Sequence, residues 1–219
     1  MSTILESLQN QLAKHAQEFA AKVPDELRQT MKEAGHKVAD FVARLKTLGE
    51  GDQAVRFALP DAKGETVELD ELLQQGPVVV TFYRGGWCPY CNIELRALQA
   101  ALPEMRELGA SLVAVSPQTP DQSLSTSEKN ELEFSVLSDV GNKVAREFGL
   151  VFSLPESLRP IYAQFGIDIP AHNGDDSFEL PVPATFVIDR DGQIKYAFVN
   201  ADYQQRAEPS EIVAALRSL

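Results

Sequence analysis

Two different periodicities divide the chain. Over residues 2–48 the apolar residues recur at spacings of three and four. Leu5, Leu8, Leu12, Ala16, Phe19 and Val23 fall on one face, which predicts a helix. Pro24 breaks that run, and Asp25 and Glu26 place acid where a second helix would begin, the end its dipole favours for negative charge. Leu27, Met31, Ala34, Val38, Phe41, Leu45 and Leu48 then form a heptad seam, opposite a polar face of Arg28, Lys32, Glu33, Lys37, Asp40 and Arg44. Such a seam needs cover. Packing against the rest of the chain is the reading adopted; a homodimer through these N-terminal helices is the alternative. The link Leu48–Gly49–Glu50–Gly51 separates this helical arm (1–50) from the remainder (51–219).

From residue 52 strands and helices alternate. Val55–Leu59 and Thr66–Leu69 read as short strands about an Asp61–Gly64 turn. Pro77–Tyr83 is an unbroken apolar run, the pattern of a central strand covered on both faces. A helix should open at Cys88 and continue through Glu94, Leu95, Leu98 and Leu102. Ser111–Ser116 reads as the next buried strand, Asp121–Asn130 as a polar helix, Phe134–Leu137 as a strand and Gly141–Phe148 as a helix. Residues 150–180 read as an insertion with a short helix near Pro155–Phe165. Thr185–Ile188 and Gln193–Val199 form a hairpin about Asp189–Gly192, and Pro209–Leu219 is a closing helix. The order predicts an α/β layer with parallel core strands, an added hairpin and a helical N-terminal arm.

The charge balance narrows the function. With 32 acidic against 20 basic residues the net charge is −12, which repels phosphate backbones and anionic bilayers. Nucleic-acid and membrane partners are therefore not expected. No apolar run is long enough to span a bilayer. The opening MSTILESLQNQLAK lacks a basic leader and a continuous apolar stretch, so the expected location is cytoplasmic. Neither a cofactor nor a metal is expected: His15, His36 and His172 lie far in sequence from the two cysteines, and two of them sit on the arm. Asp175, Asp176 and Glu179 read as a solvated acidic loop. Gly85–Gly86 is no phosphate loop, because no Lys-Ser/Thr follows.

The chemistry resides in Trp87-Cys88-Pro89-Tyr90-Cys91, between the buried strand and the next helix. A thiol attacks as thiolate, and the free N–H groups at a helix N-terminus stabilise that anion. Cys88, at the exposed end, is the expected nucleophile. Cys91 lies one helical turn inward, within disulfide reach, as the resolving partner. Pro89 suits the first helical turn, and Gly85 and Gly86 allow a sharp bend. So short a loop constrains little of the unfolded chain, which points to redox chemistry rather than a structural staple.

Trp-Cys-x-x-Cys after such a strand resembles the thioredoxins, and Cys-Pro-Tyr-Cys is the glutaredoxin dipeptide. The wider frame is Val55-Arg56-Phe57-Ala58-Leu59-Pro60, Val136-Leu137-Ser138-Asp139 and Pro183-Ala184-Thr185-Phe186-Val187-Ile188-Asp189. It resembles the peroxiredoxin-like (alkyl hydroperoxide reductase/thiol-specific antioxidant, AhpC/TSA) group, in the branch carrying a C-x-x-C pair, over residues 52–217. The resemblance implies a thioredoxin-like fold of peroxiredoxin type. Peroxiredoxins carry a proline, a threonine and an arginine about the peroxidatic cysteine where this chain has Thr81, Gly85 and Pro183. Peroxide binding by those groups is thus missing, with Arg84 as the nearest replacement charge. By the same resemblance Val182–Pro183 should be a cis peptide facing the cysteines, its Val182 backbone pairing with an extended substrate.

Trp87, Arg84, Val182 and Pro183 are the expected substrate contacts, with Tyr90 exposed. Thioredoxin's buried acid corresponds to Phe82, and Glu94 reads as a solvated helix carboxylate. The expected activity is thiol–disulfide exchange through Cys88 and Cys91, reduced by thioredoxin, glutaredoxin or glutathione. A thiol-dependent peroxidase passing through a Cys88 sulfenic acid is the alternative, and a redox-sensing interaction protein the third reading.

Overall fold

The computed structural model describes residues 6–219. Leu5, assigned above to the first seam, lies outside them. The arm forms α1 (Leu8–Lys22) and α2 (Asp25–Val42). Ser7 caps α1 through its side-chain oxygen, and the Glu208 carboxylate accepts from the Leu8 and Gln9 N–H groups at 3.2 and 2.7 Å. The beginning of the arm is therefore held by a segment near the end of the chain. Leu8 and Leu12 are buried, α1 packs along α4 (Pro89–Glu107), and α2 packs against residues 151–158. The seam is thus covered by the chain's own domain, and only Phe41 remains half exposed. Helix α2 stops at Val42 rather than continuing to Leu48, whose N–H donates to the Phe148 carbonyl.

The remaining elements follow the expected alternation. After β1 (Ala58–Pro60), β2 (Thr66–Glu68) and α3 (Leu69–Gln75) come β3 (Val78–Phe82), α4 and β4 (Ser111–Ser116). Next are α5 (Pro120–Lys129), β5 (Ser135–Ser138), α6 (Lys143–Glu147), β6 (Val151–Ser153), α7 (Arg159–Gln164) and α8 (Ile169–Asn173). The chain ends with β7 (Glu179–Pro181), β8 (Ala184–Ile188), β9 (Ile194–Val199) and α9 (Pro209–Arg217). The main sheet has the order β5-β4-β3-β8-β9, parallel from β5 to β3 and antiparallel from β3 through β9. All five residues of β3 are buried. Their alternation feeds two cores: Val78, Val80 and Phe82 join Phe148 and Phe186 on one face, while Val79 meets Leu95, Leu98, Leu102 and Ile212 on the other. Helices α3 and α8 and the antiparallel β6–β7 pair are additions to the expected set, and that pair closes the base of the insertion.

Candidate redox site

The site grows out of the turn after β3. Gly85 has φ +149°, and a Cβ there would lie 2.3 Å from the Trp87 ring nitrogen; at Gly86 it would meet Thr126 Oγ1 at 2.2 Å. Both glycines are thus required by close approach. A buried amide relay fixes the turn. The Gly86 N–H donates to Gln118 Oε1 (2.7 Å), Asn92 Nδ2 to the Gly86 carbonyl (2.8 Å), and Asn130 Nδ2 to Asn92 Oδ1 (2.8 Å). Cys88 is the N-cap of α4, with Pro89 at its first position, and Cys91 lies one turn in.

Four expectations change here. Cys88 and Cys91 are both buried, at 2% and 0% exposure, as free thiols; Cys88 is not at an exposed end but in the core that also holds Leu8 and Leu12 of the arm and Ala207. Tyr90 is buried as well, edge-on to His15 of α1 at 4.8 Å and to Tyr203 at 5.3 Å. No cis peptide occurs among the described residues, so Val182–Pro183 is trans. The Val182 N–H already donates to the Leu150 carbonyl at 2.8 Å, which removes it from pairing with a substrate chain. Glu94 is not solvated. It is 1% exposed and accepts from Arg206 Nε at 2.7 Å.

Arg206 was not anticipated, and it touches the chemistry: its Nη2 lies 3.6 Å from Cys91 Sγ. Arg84 is the second buried cation. Its guanidinium lies 5.0 Å from the Trp87 ring and 4.6 Å from that of Tyr203, and it donates to the Tyr162 hydroxyl. Among the described residues no carboxylate pairs with it, and its Nε has no partner. Beside it is a cavity of about 40 Å³ whose walls include Tyr162, Val182, Pro183 and Tyr203. Arg84, Val182 and Pro183 are therefore brought together, with Trp87 stacked on the same arginine. Asp175, Asp176 and Glu179 stand apart; among the described residues no acidic, histidine or cysteine group is arranged to hold a metal.

The electrostatics separate the two sulfurs. Burial works against a Cys88 thiolate. The Cys91 thiol as hydrogen-bond donor, with the charges of Arg84 and Arg206, outweighs it and lowers Cys88 to about 6. Burial and the adjacent Cys88 push Cys91 well above its usual value. These opposite directions favour Cys88 over Cys91 as the thiolate, through the Cys91 hydrogen bond and then the charges of Arg84 and Arg206. Alkylation of Cys88 in Cys91→Ser should be slow, because the thiol is enclosed, and should titrate well below the ordinary thiol value of ~8.5. A midpoint at 8 or above would remove the thiolate assignment.

Sequence comparison settles the family. A profile of the AhpC/TSA family matches residues 50–197. The chain belongs to the AhpC/TSA family. Peroxiredoxin Bcp of Escherichia coli (strain K12) is 27% identical over 154 residues, covering 70% of this chain and 87% of the relative. The chloroplastic peroxiredoxin Q of Oryza sativa subsp. japonica is 28% identical over 172 residues, covering 78% and 68%. Peroxidoxin BcpB from Mycobacterium tuberculosis superposes with a TM-score of 0.62 at 26% identity, covering 78% of this chain and 98% of that one. The reduced 2-Cys peroxiredoxin of Plasmodium vivax, at 17% identity and a TM-score of 0.60, shares the fold. This AhpC/TSA chain is a thiol oxidoreductase on a peroxiredoxin-type, thioredoxin-like fold. Both arm helices, α1 and α2, precede the matched region.

Proposed function

We propose that this chain is a thiol-dependent peroxidase whose preferred oxidant is a small hydroperoxide, with Cys88 peroxidatic and Cys91 resolving. One observation carries the reading: Arg84, buried beside the nucleophile without a carboxylate partner, facing a cavity of about 40 Å³. An uncompensated buried cation is costly unless something anionic completes it. The Cys88 thiolate does so at rest, and the charge developing on peroxide oxygen does so during reaction. The thiolate attacks one peroxide oxygen, an S–O bond forms, the O–O bond breaks, and the departing alkoxide takes a proton to leave as alcohol or water. Cys91 then attacks the sulfenic sulfur; the S–S bond forms and water leaves. Val182 and Pro183 wall the cavity with Arg84, and Trp87 lies under the same guanidinium.

The relatives' names, peroxiredoxin and peroxidoxin, support the same reading. A dithiol reductant such as thioredoxin or glutaredoxin, or glutathione, closes the cycle in a reducing, cytoplasmic setting. Both sulfurs come from one helix, so each chain completes the cycle without a second subunit. Disulfide exchange is the second reading, favoured by the Cys88–Cys91 spacing; the enclosure of Cys88 counts against a bulky oxidant.

Trp87 is the chain's sole tryptophan and adjoins Cys88, so stopped-flow fluorescence of the reduced protein reports its oxidation. Hydrogen peroxide should oxidise it faster than oxidised glutathione at equal concentration, and thioredoxin should sustain peroxide turnover. Faster reaction with the disulfide would replace this proposal with the exchange reading.

A further inference from the structure

The peroxide cycle uses Arg84 and both sulfurs but leaves a buried ion pair unexplained. Glu94 and Arg206 are almost wholly enclosed, and Arg206 spans the pair and the resolving sulfur, 2.7 Å from Glu94 Oε2 and 3.6 Å from Cys91 Sγ. Arg206 is held in place independently. Its Nη1 donates to the carbonyls of Tyr203 and Gln205, and its own carbonyl accepts from Gln9 of α1. Glu94 follows Cys91 by three residues on α4, which places the two side chains as neighbours on one face.

We propose that Glu94 is the proton acceptor for Cys91 when it resolves the oxidised Cys88, with Arg206 passing its ion pair from the Glu94 carboxylate to the emerging Cys91 thiolate. The inference rests on the dithiol cycle above. Its physical basis is charge conservation within an enclosed cluster. If the Cys91 proton left for bulk water, two anions would share Arg206, the one cation in contact with both, with Arg84 acting on Cys91 more weakly, and burying a further charge is expensive. If the proton moves to Glu94, there is one anion and one cation before and after, and only the identity of the anion changes. Arg206 is the fixed charge that makes the exchange favourable.

The groups facing Cys91 agree with this. Cys88 becomes a neutral sulfenic acid or mixed disulfide once oxidised. Tyr83, buried on the strand side, is raised to about 12 by burial, chiefly, and stays protonated. Arg84 faces Cys88. Glu94 alone is poised, since burial, opposed by Arg206, raises it to about 7. Atoms balance in the step: Cys91 S–H breaks, its proton goes to Glu94, the thiolate forms the S–S bond, and the S–O bond of the sulfenic acid breaks. The proton on Glu94 then accompanies the leaving hydroxide as water.

The test separates resolution from peroxide chemistry by loading Cys88 as its mixed disulfide with thionitrobenzoate at pH 5, slowly because the thiol is enclosed and before Cys91 attacks, and then jumping to the assay pH. Release of the coloured thiolate then measures attack by Cys91 with no peroxide present. In the wild type, release should accelerate as pH rises through the near-neutral range, where Glu94 ionises, and then level off. Glu94→Gln should lose that inflection and slow release at pH 8 by about 10²-fold or more. Its Cys88 sulfenylation by peroxide, trapped with dimedone, should change far less. Glu94→Asp, which keeps a carboxylate, should restore an inflection. An unchanged profile in Glu94→Gln would overturn the proposal. So would equal slowing of sulfenylation and release, because that marks a structural contribution only. A wild type unreactive to peroxide but normal in thiolate release would sink the peroxidase reading and leave this one standing.

Discussion

Arg84→Met should slow sulfenylation of Cys88 by hydrogen peroxide by about 10²–10³-fold, the typical cost of losing one preorganised charge donor to a transition state. Two effects combine in that loss. Arg84 helps to lower the Cys88 thiol to about 6, so its removal raises that value and reduces the thiolate fraction at neutral pH. It also removes the positive charge facing the oxygen that gains charge as the O–O bond breaks. The two contributions separate by pH: at pH 9 the thiolate fraction should recover, while the charge-stabilisation loss should persist. Methionine keeps an unbranched apolar stem in place of the arginine's and loses only the guanidinium that lies over Trp87 and Tyr203, so the fold around the turn should survive. The measurement is the second-order rate from Trp87 fluorescence across pH. Full recovery at pH 9 would show that Arg84 acts on the thiol alone and not on peroxide.

The parts of this molecule legible in the sequence were those written in periodicity. Pro77–Tyr83 announced β3 because a strand buried on both faces must be apolar throughout. The cysteine pair was legible because a thiolate site needs a helix start, and Gly85, Gly86 and Pro89 mark one. The Val182–Pro183 expectation failed because the insertion supplies its own β6–β7 pairing. Leu150 takes the Val182 N–H, a contact that no local pattern encodes. Arg206 was invisible for a related reason. It lies in the irregular stretch between β9 and α9, where nothing periodic assigns a face, and it reaches Cys91 across 115 residues of sequence.

Glu94 was a different kind of miss, since a signal existed. Counting in threes and fours from Cys91 reaches Glu94, Leu95 and Leu98, so the carboxylate lies on the apolar stripe of α4 rather than opposite it. A charge on a buried stripe implies a buried partner. Asn92, next after Cys91, carries the amide relay that fixes the Cys88 loop. The burial of Cys88 could not be read locally. The core that holds it is assembled from distant segments, Leu8 and Leu12 of α1 and Ala207 among them, and α1 is tied there by Glu208 near the far end of the chain.

Arg206→Met should destabilise the protein by about 3–5 kcal/mol at pH 8, the usual cost of leaving one member of a buried ion pair unmatched. For a chain of this size that corresponds to a fall in Tm of roughly 6–20 °C. The penalty should depend on pH with a definite sign. Burial, opposed by the Arg206 charge, already raises Glu94 from 4.5 to about 7 in the folded protein. An acid whose folded value is raised leaves stability intact below its unfolded value and withdraws it as pH rises through the folded one. In the wild type this withdrawal runs from about pH 4.5 to 7 and is limited by Arg206. Without the cation, Glu94 resists ionisation further, so the withdrawal continues to higher pH and grows deeper. Arg206→Met should therefore lie closest to the wild type at pH 5, where Glu94 is protonated, and furthest from it at pH 8. Denaturant midpoints of both proteins at the two pH values measure the difference, and adding Glu94→Gln should recover most of the loss at pH 8. A loss that is equal at pH 5 and pH 8 would place the cost in the hydrogen bonds of Arg206 to the Tyr203 and Gln205 carbonyls, not in an unmatched carboxylate.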